Sequence, residues 1–186
     1  MSEWAGARKL AEGKVAKSAG RGLDGEMRDL LPLAEEIGTI LKARRQTIGV
    51  WESSSGGLVS AALLAQSGAS AYFRGGGVIY APAAFRGLVG LSKEDLGDMR
   101  SSSEPYARFA AATIRERLRA DWGLCETGAA GPDGNGYGDA AGHTCTALIG
   151  EGVEISRTLE TGLSDRVTNM ELFAREALEL LLENIR

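Results

Sequence analysis

The sequence holds one histidine, His143, and two cysteines, Cys125 and Cys145, and each shortage removes a class of chemistry. A His-rich zinc site and an HExxH metalloprotease helix need imidazoles that are not there, and a Ser-His-Asp triad is open only if His143 is its base. Two cysteines without a CxxC spacing build neither a disulfide framework nor a zinc or redox motif. They read as small buried hydrophobes in strands. No apolar run approaches the ~18 residues of a membrane-spanning helix, and the amino terminus lacks the apolar core and cleavage site of a secretory signal. A net charge of -4 gives no general attraction for polyanions, so neither nucleic acid nor a membrane surface is an expected partner. These absences lead to the expectation of a soluble, cytoplasmic chain that uses no metal and no cofactor.

What is present is ordinary globular material: 44% hydrophobic and 25% charged residues in a chain of 186, enough for one core. Residues 1–25, rich in Gly, Ala and Lys, read as a mobile tail, which leaves 26–186 as the folded domain. Leu30, Leu33, Ala34, Ile37, Ile40 and Leu41 recur at helical spacing. Thr47 to Trp51 reads as a short buried strand, followed by a small-residue turn and a helix from Leu58 to about Gln66. Tyr72 to Tyr80 carries β-formers around Gly75, Gly76 and Gly77. Ser103 is a helix cap with Pro105 in the first turn, and that helix ends near Ala120. Trp122 to Thr127 is a further strand, His143 to Ile149 and Val153 to Glu160 form a hairpin, and Met170 to Leu181 carry the stripe of a last helix. Helices alternate with strands early and a hairpin comes late. The expected fold is α/β, a three-layer α/β/α sandwich around a mixed sheet of about five strands.

Two small-residue segments lie just beyond strands, where open α/β sheets place their ligands. The first is Glu52-Ser53-Ser54-Ser55-Gly56-Gly57. Amides at a helix start, together with hydroxyls, form a site for an anion or an oxyanion, although a serine cap with packing glycines is the plainer reading of the segment alone. The second is Thr127-Gly128-Ala129-Ala130-Gly131-Pro132, which a simple flexible connection would also explain. Neither a P-loop nor a dinucleotide fingerprint is present. His143 reads as a structural histidine with a possible base role, and Arg166 as either a phosphate fork or the partner of Asp165.

Together these segments resemble the CinA carboxy-terminal family, whose members carry E-S-C-T-G-G after the first strand, Y-S-N-E-A-K next, and T/S-G-I-A-G-P later. The counterparts here, in the same order, are Glu52 to Gly57, Tyr80-Ala81-Pro82-Ala83-Ala84-Phe85, and Thr127 to Pro132. Ser103-Glu104 and Thr161 to Arg166 resemble two further landmarks, so the likeness runs from about Leu30 to the end. The resemblance implies a mixed five-stranded sheet between helices, a homo-oligomer, and metal-free hydrolysis of the amide of nicotinamide mononucleotide to nicotinic acid mononucleotide and ammonia. It implies Ser53 as nucleophile, Tyr80 as site tyrosine and Ser55 as the hydroxyl replacing a threonine. Glu52, Ser54, Gly56, Gly57, Arg86, Thr127, Gly128, Ala130, Gly131 and Arg166 are the implied substrate contacts.

One position departs from the pattern: the family lysine that closes Y-S-N-E-A-K aligns with Phe85. The adjacent Arg86 can hold phosphate but stays protonated, so it cannot accept a proton. The alternative function is therefore a catalytically impaired relative that binds a nucleotide or acts as an oligomeric interaction protein. If the site is otherwise intact, Phe85→Lys should raise ammonia release by ~10²-fold. If the pocket is rebuilt around the ring, a lysine there is buried and useless.

Overall fold

The structure, a computed structural model, describes residues 27–186; the expected tail at 1–25 lies outside them. Helix α1 (Leu31–Arg44) has Pro32 in its first turn, buries Ala34, Ile37 and Leu41, and stops where Arg45 turns left-handed at φ 55°. Strand β1 (Ile48–Glu52) is buried along its whole length, as a central strand of a covered sheet must be. Helix α2 (Leu58–Leu64) and strand β2 (Phe73–Val78) follow. A short helix α3 (Pro82–Ala84) runs straight into one π-helical turn, Phe85–Val89, which the sequence pattern did not reveal. Helix α4 (Glu104–Leu118) starts at Ser103, whose hydroxyl accepts the Tyr106 amide proton. Strands β3 (Trp122–Ala129), β4 (His143–Gly150) and β5 (Val153–Glu160) precede the last helix, α5 (Arg166–Ile185), which is capped by the Asp165 carboxylate.

The five strands lie in the order β2-β1-β3-β4-β5. Strand β1 runs parallel to β2 and to β3, while β4 and β5 complete the sheet antiparallel. Side-chain alternation then sorts the core into two halves. Ile48, Val50, Leu124 and Leu148 face α1, α2 and α5 in one cluster. Trp51, Cys125 and Ala147 face α4 and the π turn in the other. The result is the expected three-layer α/β/α sandwich with a mixed five-stranded sheet; most element ends lie within two residues of those read in sequence, while α1 and α5 run on past the stripes read for them. Among the described residues no helix is long and apolar enough to cross a membrane.

Close packing of α4 on the sheet depends on Gly123 in β3, because a Cβ there would fall inside the Ala111 carbonyl oxygen and crowd Arg115. Backbone cannot yield as a flexible side chain does. Gly123→Ala should therefore lower stability by about 1–3 kcal/mol, the usual cost of overpacking, read as a lower midpoint in denaturant unfolding.

Candidate active site

The register of the three parallel strands decides which residues meet. Glu52 pairs with Val78, and the Ile79 amide donates to the Glu52 carbonyl at 2.7 Å, so Ser53 and Tyr80 leave adjacent strands at the same edge. Trp51 pairs with Cys125, and continuing that register sets Ser53 level with Thr127. All three strand ends open on one cavity of about 720 Å³, lined by Ser53, Tyr80, Phe85, Arg86, Thr127 and Gly128. Lys93, Asp98, Arg100, Ser102, Tyr106 and Tyr137 are among its other lining residues. Thus Ser53, Tyr80, Arg86, Thr127 and Gly128 come together as the sequence reading required.

The Phe85 ring lies in the floor, 7% exposed and edge-on to Trp51 at 5.9 Å between centroids. Trp51 in turn meets Tyr106 edge-on at 6.3 Å, and burial pushes the Tyr106 phenol well up, so it stays a protonated wall. Thr127 accepts the Ser102 amide proton at 3.3 Å, which leaves its own hydroxyl proton as a donor. Ser102 itself holds a left-handed φ of 56°, costly for a residue with a side chain.

The other residues of the first segment turn away from the cavity. Glu52 is wholly buried on the α2 face. One oxygen accepts the Ser55 hydroxyl and the amides of Gly57 and Val59 at 2.9–3.0 Å; the other accepts the amide and hydroxyl of Ser60 at 2.9 and 2.6 Å. Glu126, 1% exposed, accepts the amides of Ser53 and Ser55 at 3.2 and 2.8 Å and the hydroxyls of Ser54 and Thr144 at 2.5 and 3.0 Å. The Gly56 amide returns to the Ser53 carbonyl at 3.2 Å. The anion site legible in Glu52 to Gly57 is already filled, by the chain's own two carboxylates. Glu52, Ser54, Ser55, Gly56 and Gly57 hold the turn and are not in the cavity lining.

The second segment is partly at the cavity and partly structural. Gly128 lines it, whereas the carbonyls of Ala130 and Gly131 accept from Asn169 at 2.8 Å and from Arg166 at 2.6 Å. Arg166 reaches the rim, where its other terminal nitrogen donates to the Tyr80 phenol oxygen at 3.2 Å. The glycine-rich loop beyond is clamped by Arg100, which grips Asp139 with both nitrogens at 2.5 and 3.0 Å and lies 5.6 Å over the Tyr137 ring. His143 serves this wall. Its Nδ1 meets Glu160 at 2.5 Å and its Nε2 the Ser102 carbonyl at 2.9 Å, with Asp139 at 3.9 Å. Burial opposes its charge, but the Glu160 bond, the Ser102 carbonyl and Asp139 outweigh that and raise its pKa.

Sequence reading missed Glu126, Lys93, Arg100 and Tyr137. Glu126 had a signal, since a glutamate directly after the apolar run Trp122 to Cys125 and within the same strand is a buried carboxylate in need of donors. The other three sit in loops, where no periodicity marks a partner.

Residues 30–185 match the model of the CinA C-terminal domain. The chain is 36% identical to a CinA-like protein of Nostoc sp. over 159 residues, which are 80% of this chain and 38% of that one. It is also 36% identical to a CinA-like protein of Gloeobacter violaceus over 168 residues, covering 88% of this chain and 39% of the other. The chain thus spans about two-fifths of the length of these curated relatives. Its fold is similar to a competence-damaged protein (CinA) superfamily structure from Enterobacter cloacae, with TM-score 0.77, 26% identity and coverage of 84% of this chain and 92% of that one. A competence/damage inducible protein from Agrobacterium tumefaciens gives TM-score 0.77 at 28% identity, covering 85% and 96%.

The two buried carboxylates respond differently to an isosteric amide. In Glu126→Gln the amide nitrogen can face the Ser54 and Thr144 hydroxyls, which accept as well as donate. In Glu52→Gln each oxygen faces at least one backbone N–H, so one N–H meets an NH₂. Glu52→Gln should cost about 2–3 kcal/mol in chemical unfolding and Glu126→Gln about 1 kcal/mol. For His143, a raised folded-state pKa stabilises the protein fully below its unfolded value of about 6.5, and that contribution disappears as pH rises through the folded value. His143→Gln should therefore flatten the fall in melting temperature above pH ~6.5.

Proposed function

The chain belongs to the CinA C-terminal domain family, and on that premise we propose that its cavity hydrolyses the carboxamide of nicotinamide mononucleotide to nicotinic acid mononucleotide and ammonia. The observation that supports this reading is the meeting of Ser53, Tyr80 and Thr127 at the carboxyl ends of three adjacent parallel strands, in one cavity. Ser53 Oγ attacks the carboxamide carbon, and its proton passes by way of the Tyr80 hydroxyl to the departing nitrogen, which leaves as ammonia. Water then attacks the Ser53 ester, the same relay returns the proton to Ser53, and the carboxylic acid departs. The Thr127 hydroxyl supplies a donor to the tetrahedral oxygen, a role the amides held by Glu52 and Glu126 do not have free hands to fill. Arg86 and Lys93, both lining the cavity of a protein with net charge -4, give the phosphate its counter-charges.

A second reading, nucleotide binding without turnover, draws on Phe85. Where family members have a lysine, this chain has a ring packed on Trp51, so the floor is built around an aromatic side chain. The two readings separate on ammonia release and calorimetric affinity measured together. Under the hydrolytic reading wild type releases ammonia and Ser53→Ala lowers kcat at least ~10²-fold. Undiminished affinity with no release by wild type would select the binding reading. Phe85→Lys should lower the melting temperature and leave ammonia release without gain, because the new amine would be buried against an indole.

A further inference from the structure

We propose that Arg166 is a positioning residue for Tyr80: anchored on the Gly131 carbonyl, its guanidinium holds the phenol oxygen and so directs the phenol proton into the cavity. This rests on Ser53 being the nucleophile of the proposed hydrolysis.

Tyr80 needs such a partner. Its side chain is 62% exposed and sits on the short link between β2 and α3, so packing alone does not fix its ring. Arg166 has the opposite situation, a firm root. It is the first residue of α5, whose start is capped by Asp165 through the Thr168 amide at 2.8 Å. One turn on, the Asn169 amide ties that start to the Ala130 and Leu163 carbonyls at 2.8 and 2.9 Å. From there one guanidinium nitrogen donates to the Gly131 carbonyl at 2.6 Å and the other to the Tyr80 oxygen at 3.2 Å.

The chemistry of the pair is one-directional. Arginine has donors and no acceptor, so at this contact the phenol oxygen can only accept, and its proton must point elsewhere. Tyr80 lines the cavity that Ser53 enters, and that is where a proton is moved in amide hydrolysis. The cation also stabilises the negative charge that grows on the phenol oxygen while the proton is in transit. Each terminal nitrogen of Arg166 already donates to a protein oxygen, whereas Arg86 and Lys93 line the cavity where a phosphate would sit. Fixing a relay group in this way changes turnover and leaves ligand affinity nearly alone.

The test uses p-nitrophenyl acetate, whose ester acetylates a reactive serine and releases p-nitrophenol whatever the natural amide is. Acetyl-Ser53 is located by peptide mass spectrometry, and Arg166→Gln is measured with Tyr80 and with Tyr80→Phe. Arg166→Gln should slow acetylation of Ser53 by ~10-fold or more with Tyr80 present, less than two-fold in Tyr80→Phe, and Arg166→Lys should recover part of the loss. With nicotinamide mononucleotide the same substitution should lower kcat and leave KM within about two-fold. Equal losses with and without Tyr80, a rise in KM at constant kcat, or no acetylation of wild-type Ser53 would each overturn the assignment. Acetylation coupled through Tyr80 but no ammonia from nicotinamide mononucleotide would uphold Arg166 and remove that nucleotide as substrate.

Discussion

The structure turns on two glutamates buried side by side on one face of the sheet, Glu52 at the end of β1 and Glu126 in β3. Two carboxylates out of water are costly unless every lone pair is used, and their bonded partners among the described residues are all neutral amides and hydroxyls. Satisfying them requires the chain from Ser53 to Ser60 to wrap both at once. Glu52 takes the amides at the start of α2, which that helix has no internal acceptor for. Glu126 takes the Ser53 and Ser55 amides from the turn that follows the neighbouring strand. The tight turn this demands puts Gly56 and Gly57 at φ 67° and 101°, backbone that side chains resist.

Ser53 is placed by that wrapping. Its amide belongs to Glu126, and strand alternation has put Glu52 and Glu126 on the α2 face, so the residue between Glu52 and the turn is left at the α4 face and the cavity. The rigid side of the site is thus the buried one, and the serine inherits its position from groups that lie outside the cavity lining. That arrangement suits preorganisation: the costs of ordering the turn are met in folding rather than when a substrate arrives. It also explains why three serines in a row have different surroundings, with Ser53 half-buried in the cavity wall and Ser54 and Ser55 used up behind it.

This division marks the limit of what the sequence discloses. Periods of two and 3.6 located the strands and long helices, and the hairpin at Gly150-Glu151-Gly152 was legible from its turn. The cluster of donors in Glu52 to Gly57 was legible too. What took those donors was not, because the second acceptor lies more than seventy residues away and only the parallel β1–β3 pairing makes it a neighbour. The same holds for Asp139 with Arg100 and for Glu160 with His143, partners that loops and hairpin register bring together. The π turn at Phe85–Val89 left no periodic trace because it is one turn long.

That turn bears on the oddest feature of the site. Phe85 and Arg86 are consecutive, yet one is buried in the cavity floor and the other exposed along its wall. A ring at 85 gains from this, since it fills the space beside Trp51 and adds an edge-to-face contact to the burial of its area. An amine at 85 would lose that contact and be held largely out of water beside the same indole. The cations that do border the cavity come from elsewhere: Arg86 from the π turn, Lys93 and Arg100 from the segment after it, and Arg166 from the start of α5 at its rim. Two of the four, Arg100 and Arg166, are spent on holding walls in place through Asp139, Gly131 and Tyr80. The charges of the site are therefore brought from separate segments around an apolar floor, with Asp98 as the carboxylate in the lining.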